Sequence, residues 1–228
     1  MKLIKFIPNL FTLGNLTLGV CGIAVLFTQP ENAIWVPYMI LAAAILDFFD
    51  GFLAKALNAQ SPIGAQLDSL ADLITFGVLP GFIYWHLTPD ISWNWVVLLV
   101  PICSAWRLAK FNVGDDQSDS FIGISTTAHG IFVATIPLII ASPIDQIESF
   151  VNNQTLIIGL SIGFSWLMIS NLRMISLKFK NMVFRENWDR FVLIIGSLIL
   201  IGLFGWSSSP IIMLLYLLLS LYGHFKSA

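Results

Sequence analysis

Between positions 7 and 222 the chain is a series of long apolar runs joined by short polar links. Eight runs stand out, over 7–27, 33–56, 64–86, 93–111, 126–141, 156–170, 188–206 and 210–222. A helix needs about 20 mostly apolar residues to cross a bilayer, and in hydrocarbon only a helix or a closed barrel satisfies its own backbone hydrogen bonds. The runs lack the alternating polar and apolar residues of a membrane barrel. They therefore predict an all-α, polytopic transmembrane helix bundle of about eight spans. Charged residues make up 11% of the chain, against about 25% in an ordinary soluble domain. So few charges cannot clothe a water-facing surface. This excludes a soluble globular domain, a disordered chain and a basic nucleic-acid binder. The net charge of −2 gives no overall field to steer a partner.

Lysine and arginine placement sets the expected orientation. Lys2 and Lys5 precede the first run, Lys55 follows the second, and Arg107 and Lys110 end the fourth. Arg173, Lys178, Lys180, Arg185 and Arg190 lie between the sixth and seventh, and Lys226 follows the last. With eight spans all of these fall on one side, expected to be the cytoplasm, together with both termini. Glu31, Asp90, Asp145 and Glu148 fall opposite. Trp35, Trp93, Trp95 and Trp206 sit near run ends, where interfacial anchors belong. Cys21 and Cys103 read as small buried hydrophobes, not as a disulfide or a metal pair. His86, His129 and His224 are scattered and show no zinc spacing. Pro8, Asn9, Thr12 and Asn15 interrupt the first run, so it reads as a span and not as a signal peptide. No composition break divides the chain, and residues 1–228 read as a single domain.

Four aspartates then demand an explanation. Asp47 and Asp50 lie three apart at the end of the second run; Asp68 and Asp72 lie four apart in the third. Each pair shares one helix face. The short link between the runs makes their helices antiparallel neighbours, so four carboxylates converge at one end of the pair. A carboxylate at membrane depth is costly, which makes an intramembrane acid a functional candidate. Four together repel, and Lys55 alone cannot balance them. One or two divalent cations can, and hard oxygen ligands suit Mg2+ or Mn2+. Gly51 lets a ligand approach the backbone, and Gly64 opens the third helix, where amides favour an anion. Metals, amides and one lysine describe a pyrophosphate site.

These residues resemble the signature of the CDP-alcohol phosphatidyltransferase family, D-x2-D-G-x2-A-R-x8-G-x3-D-x3-D. It runs here through Asp47, Asp50, Gly51, Ala54, Lys55, Gly64, Asp68 and Asp72, with every spacing kept. Lys55 stands where the family usually has arginine; it keeps the charge and loses the two-pronged phosphate grip. Four stretches are similar to the phosphatidylserine synthase branch: Ile7-Pro8-Asn9-Leu10-Phe11-Thr12-Leu13-Gly14-Asn15, Gln66-Leu67-Asp68-Ser69-Leu70-Ala71-Asp72 with Phe76-Gly77-Val78 after it, Arg107-Leu108-Ala109-Lys110-Phe111-Asn112, and Phe121-Ile122-Gly123. The resemblance covers roughly the first 130 residues.

The resemblance implies displacement of CMP from CDP-diacylglycerol by an alcohol, with L-serine as the acceptor and phosphatidylserine as the product. It assigns Asp47, Asp50, Asp68 and Asp72 to divalent metal and makes Asp72 the general base. Gly51, Ala54, Lys55 and Gly64 would line the CDP pocket, joined by Asn9 and Thr12 from the first helix. Arg107 and Lys110 are the expected cations for the serine carboxylate, with Asn112 adding an amide. Direct attack without a covalent intermediate, a homodimer, and a site facing the cytoplasm at the cell membrane complete the expectation. Two alternatives stand beside it. One keeps the chemistry with glycerol 3-phosphate or inositol phosphate as acceptor. The other is a cation transporter, against which the one-sided placement of the aspartates argues.

Overall fold

The computed structural model describes residues 6–113, 120–141, 153–175 and 187–227. Lys2, Lys5, Asp145, Glu148, Lys178, Lys180 and Arg185, which carry part of the orientation reading, lie outside them, as do the Phe121 and Lys226 side chains. The described elements are α1 (Ile7–Thr28), α2 (Val36–Ala56), α3 (Pro62–Asp72), a π-helical stretch (Leu73–Val78), α4 (Leu79–His86) and α5 (Leu99–Val113). There follow β1 (Ser120–Ile122), α6 (Thr126–Ile140), α7 (Gln154–Ile169), β2 (Arg173–Ile175), α8 (Trp188–Phe204) and α9 (Ser209–Ser227).

The expected count of eight spans needs correction. Among the described residues five helical runs are long and apolar enough to cross a membrane: Ile7–Thr28, Pro30–Ala56, Pro62–His86, Asn94–Val113 and Trp188–Phe225. Thr126–Ile140 and Gln154–Ile169 are apolar but shorter. The seventh and eighth expected spans are one helical run because Gly205–Ser208 stays helical as a 3₁₀ turn instead of forming a loop. That run still folds back. Gly205 takes φ +55, and a Cβ at Gly196 on α8 would lie 3.3 Å from Leu215 on α9. Among the described residues the antiparallel strands β1 and β2, three residues each, depart from the purely helical expectation.

The rod formed by α3, the π stretch and α4 is the packing centre. Phe76, Leu79, Ile83 and Tyr84 on it are buried. Its neighbours approach through small residues. A Cβ at Gly130 of α6 would fall 2.9 Å from the Phe76 Cα, and one at Gly81 would fall 2.9 Å from Pro101 of α5. Without a hydrophobic force between helices in lipid, such close backbone approach supplies the packing energy. The buried face of α1 follows the same logic: Pro8, Thr12, Asn15, Gly19, Gly22 and Leu26 form its inward stripe. Thr75 on the π stretch donates its hydroxyl to the Asn15 carbonyl at 3.1 Å.

A measurable consequence concerns Gly130. Gly130→Ala must push the Phe76 backbone away, and overpacking of this kind costs about 1–3 kcal/mol. Its melting temperature in detergent should fall below that of the wild type. Gly163→Ala should melt at or above the wild type, because nothing lies within 4 Å of a Cβ there and alanine favours a helix. Equal midpoints for the two variants would contradict this packing.

Candidate active site

The link between α2 and α3 brings the aspartates together. Asn58 ends α2 in the left-handed region at φ +48. Its N–H donates to the Lys55 carbonyl at 3.2 Å, and the Ala59 N–H donates to the Ala54 carbonyl at 2.8 Å. This pair of bonds is the Schellman closure, which asparagine tolerates because it visits the left-handed region readily. Ser61 then caps α3, accepting the Gly64 N–H on its hydroxyl at 3.0 Å, with Pro62 in the first turn. The chain reverses in a few residues and sets Asp47 and Asp50 beside Asp68 and Asp72.

Carboxylate oxygens of Asp47, Asp50 and Asp68 all lie within 4.8 Å of one another. Asp72 stands against Asp47 and Asp68. Asp50 is buried and faces Thr12 of α1; the Thr12 hydroxyl itself donates to the Pro8 carbonyl at 3.2 Å. One oxygen each of Asp50 and Asp72 is buried with no hydrogen-bond partner. Buried acceptors left unmade are costly, and like charges this close repel. A divalent cation answers both problems, and an all-oxygen donor set suits a hard ion. The group Asp47, Asp50 and Asp68 can therefore hold a metal ion.

The residues expected around the diphosphate sit at the same end. Gly51 is exposed, with nothing within 4 Å of a Cβ built on it, so the space beside Asp50 is open. Lys55 is exposed at the last turn of α2 and Ala54 is partly covered. Gly64 lies third in α3, and its amide is taken by Ser61. A Cβ there would lie 3.2 Å from the Asn9 side-chain oxygen. Its contribution is the missing side chain, which lets α1 approach, and not a free amide.

The three residues expected at the acceptor separate. Arg107 points inward: its Nη1 lies 3.4 Å from the Thr126 hydroxyl oxygen, and its Nε is buried without a partner. Asp72 and Tyr216 lie within its electrostatic range. Lys110 is exposed. Asn112 donates from Nδ2 to the Ser69 hydroxyl at 2.9 Å and so ties α5 to α3. Gly123 shows why its motif carries glycine. It takes φ +70, and a Cβ would lie 2.9 Å from the Leu167 carbonyl oxygen. This turn and the β1–β2 pair hold the start of α6, which presents Thr126 to Arg107.

Sequence reading missed Thr126 and Tyr216. Thr126 carried a weak signal, since Ser125-Thr126-Thr127 opens an apolar run and Ser125 caps α6 by accepting the Ala128 N–H at 3.3 Å. Tyr216 looked like any aromatic in an apolar run. The cysteines are free, but Cys21 is exposed and Cys103 only half-buried. That corrects the expectation of two buried residues: on a lipid-facing surface a small apolar side chain has no reason to turn inward. His129 is fully buried on α6, with its Nε2 3.2 Å from the Tyr84 hydroxyl.

Comparison with known proteins adds three findings. A family model described as CDP-alcohol phosphatidyltransferase matches residues 5–167. The chain is similar to a CDP-diacylglycerol–serine O-phosphatidyltransferase of Bacillus subtilis (strain 168), 32% identical over 173 residues, covering 74% of this chain and 89% of that protein. It is also similar to the protein of that description from Helicobacter pylori (strain J99), 31% identical over 221 residues, covering 92% and 87% respectively.

Proposed function

The chain belongs to the CDP-alcohol phosphatidyltransferase family, and from that premise we propose that it transfers the phosphatidyl group of CDP-diacylglycerol to L-serine. The products are phosphatidylserine and CMP. The observation that carries this reading is the convergence of Asp47, Asp50 and Asp68 in a chain with several membrane-length apolar helices. Support for serine comes from similarity along 92% of the chain to a serine O-phosphatidyltransferase, and from a partly buried guanidinium, that of Arg107, within electrostatic range of Asp72.

Asp47, Asp50, Asp68 and Asp72 hold one or two divalent cations, Mg2+ or Mn2+. Bound there, such cations neutralise the diphosphate and stabilise the leaving CMP. Gly51, Ala54, Lys55 and Gly64 line the CDP pocket, with Asn9 and Thr12 closing it from α1. Arg107 pairs with the serine carboxylate and so aims the serine hydroxyl at the phosphatidyl phosphorus. Lys110 attracts the anionic headgroup at the rim, and Asn112 fixes α5 against α3 through Ser69. Asp72 takes the hydroxyl proton as the new P–O bond forms. The bond to CMP breaks in the same displacement, and CMP leaves with the bridging oxygen. Residues 1–228 act as one membrane domain, paired as a homodimer, with the site on the cytoplasmic face of the cell membrane.

Two variants test the pocket assignments. Arg107→Gln should raise KM for L-serine by about tenfold or more, the loss of one charge-assisted pair. KM for CDP-diacylglycerol should change little. An equal rise in both would remove Arg107 from the acceptor site. Gly51→Leu projects into open space, so its melting temperature should stay at the wild-type value or above. Its KM for CDP-diacylglycerol should rise about tenfold or more, because the side chain occupies the approach to the diphosphate. Unchanged kinetics would place the nucleotide elsewhere. An acceptor panel completes the test: robust turnover with glycerol 3-phosphate or inositol phosphate and none with L-serine would overturn the serine reading.

A further inference from the structure

An apolar hollow lies apart from the carboxylates. A cavity of about 620 Å³ lies between α6 and the α8–α9 hairpin, with Leu41 of α2 at its back wall. This volume is within the usual range for a small-ligand site, about 300–1,000 Å³. The hairpin forming half of it lies beyond residues 5–167, the part matched by the family model. Three observations say what fills it.

The first is continuity with the charged site. Ser125 and Tyr216 line one end of the cavity. Thr126, the next residue, is the one that meets Arg107 at 3.4 Å, and Tyr216 lies within the electrostatic range of that arginine. The second is depth. The α6 wall runs from Ser125 to Thr135, about 15 Å at 1.5 Å per residue. That is about half of the ~30 Å hydrocarbon core, one leaflet. At the far end the Thr135 hydroxyl donates to Ser209 at 2.6 Å, so the floor is closed by paired hydroxyls. The third is access. Leu198 and Ile201 on the α8 wall are 66% and 52% exposed, so the cavity opens sideways to lipid.

The geometry points to this cavity as the seat of one acyl chain of the CDP-lipid substrate. A chain entering from the bilayer slides between α6 and α8, its glycerol end comes to rest beside Tyr216, and its headgroup reaches the aspartates. The inference rests on the lipid-substrate reading above. It gives the C-terminal hairpin a task, holding the donor by its tail.

Photo-crosslinking tests occupancy without turnover. The probe is a CDP-diacylglycerol bearing a diazirine near one acyl terminus, added to the purified full chain in phosphatidylcholine vesicles. Label should appear on α8 or α9, at Leu198, Ile201 or Met213, and be lost on adding excess unlabelled CDP-diacylglycerol. Label confined to α1–α5 overturns the inference. So does α8–α9 label that unlabelled CDP-diacylglycerol leaves in place, since the occupant is then bulk lipid. Kinetics supply a second reading. Ser197→Phe fills the cavity from α8 and should raise KM for a long-chain CDP-diacylglycerol about tenfold, roughly the loss of two buried methylenes. KM for a dibutyryl analogue should not change. Equal effects on both substrates, or none, overturn it. A wild-type protein that is labelled on the hairpin yet inactive with L-serine would leave the cavity standing and remove only the serine reading.

Discussion

Asp72→Asn yields a folded protein that releases CMP about 10²–10⁴ times more slowly than the wild type, the usual contribution of a positioned general base. The substitution keeps the shape of the side chain and removes its capacity to take a proton. Asp72 is suited to the role by position. It lies against Asp47, within electrostatic range of Asp68, Asp50 and Arg107, and one of its oxygens is buried without a hydrogen-bond partner. The rate is to be measured at saturating metal, CDP-diacylglycerol and L-serine, so that weakened binding is not mistaken for lost chemistry. Unchanged helical content by circular dichroism excludes misfolding. A loss smaller than about tenfold under those conditions would assign the proton to another group.

The second large effect is that of metal removal. Chelation should reduce CMP release by at least about 10³-fold, since charge neutralisation at a transferring phosphoryl group supplies several kcal/mol. Excess Mg2+ or Mn2+ should restore it. Stability should respond as well, because a cation that binds only the folded state raises the melting temperature by mass action. Without it, Asp47, Asp50, Asp68 and Asp72 repel one another at close range. Asp68→Asn removes one of these charges. In chelator this variant should melt above the wild type, and in Mg2+ that advantage should shrink or reverse, a cost of keeping a repulsive site ready for its ion. A wild-type melting temperature indifferent to both chelator and metal would contradict a metal site here.

The aspartate site was legible in the sequence because its geometry is local. Spacings of three and four place each pair on one helix face, and the link between them is too short for any arrangement but an antiparallel one. The boundaries of two spans were legible for a similar reason: α1 and α2 begin and end within about three residues of the apolar runs. The inward side of each helix was not legible from hydrophobicity. In a bilayer apolar side chains are welcome on both sides, and Phe48 and Leu198 are 68% and 66% exposed. Small and polar residues mark the interior instead, as Thr12, Asn15 and Gly19 do on α1.

Long-range contacts were the other loss. Placement alone makes Arg107 an anchor at the end of a span, and only the family resemblance offers it as the acceptor cation; in the fold α6 brings Thr126 to it and the folded-back hairpin brings Tyr216 within its electrostatic range. The bend at Gly205 had no polar loop to announce it, because Gly205–Ser208 remains helical. Lys110 and Asn112 shared a stretch with Arg107 in the sequence. On α5 Asn112 diverges from Arg107, since residues five apart on a helix lie about 140° from each other, whereas Lys110, three residues on, shares the face of Arg107 but is exposed.

The most direct measurement is CMP release from CDP-diacylglycerol by the purified protein, with and without L-serine, in Mg2+, in Mn2+ and in chelator. Displacement by the serine hydroxyl at the aspartate cluster requires both metal and serine, and gives CMP and phosphatidylserine mole for mole. Release that proceeds in chelator, or in the absence of any alcohol acceptor, would contradict a metal-dependent direct displacement at Asp47, Asp50, Asp68 and Asp72.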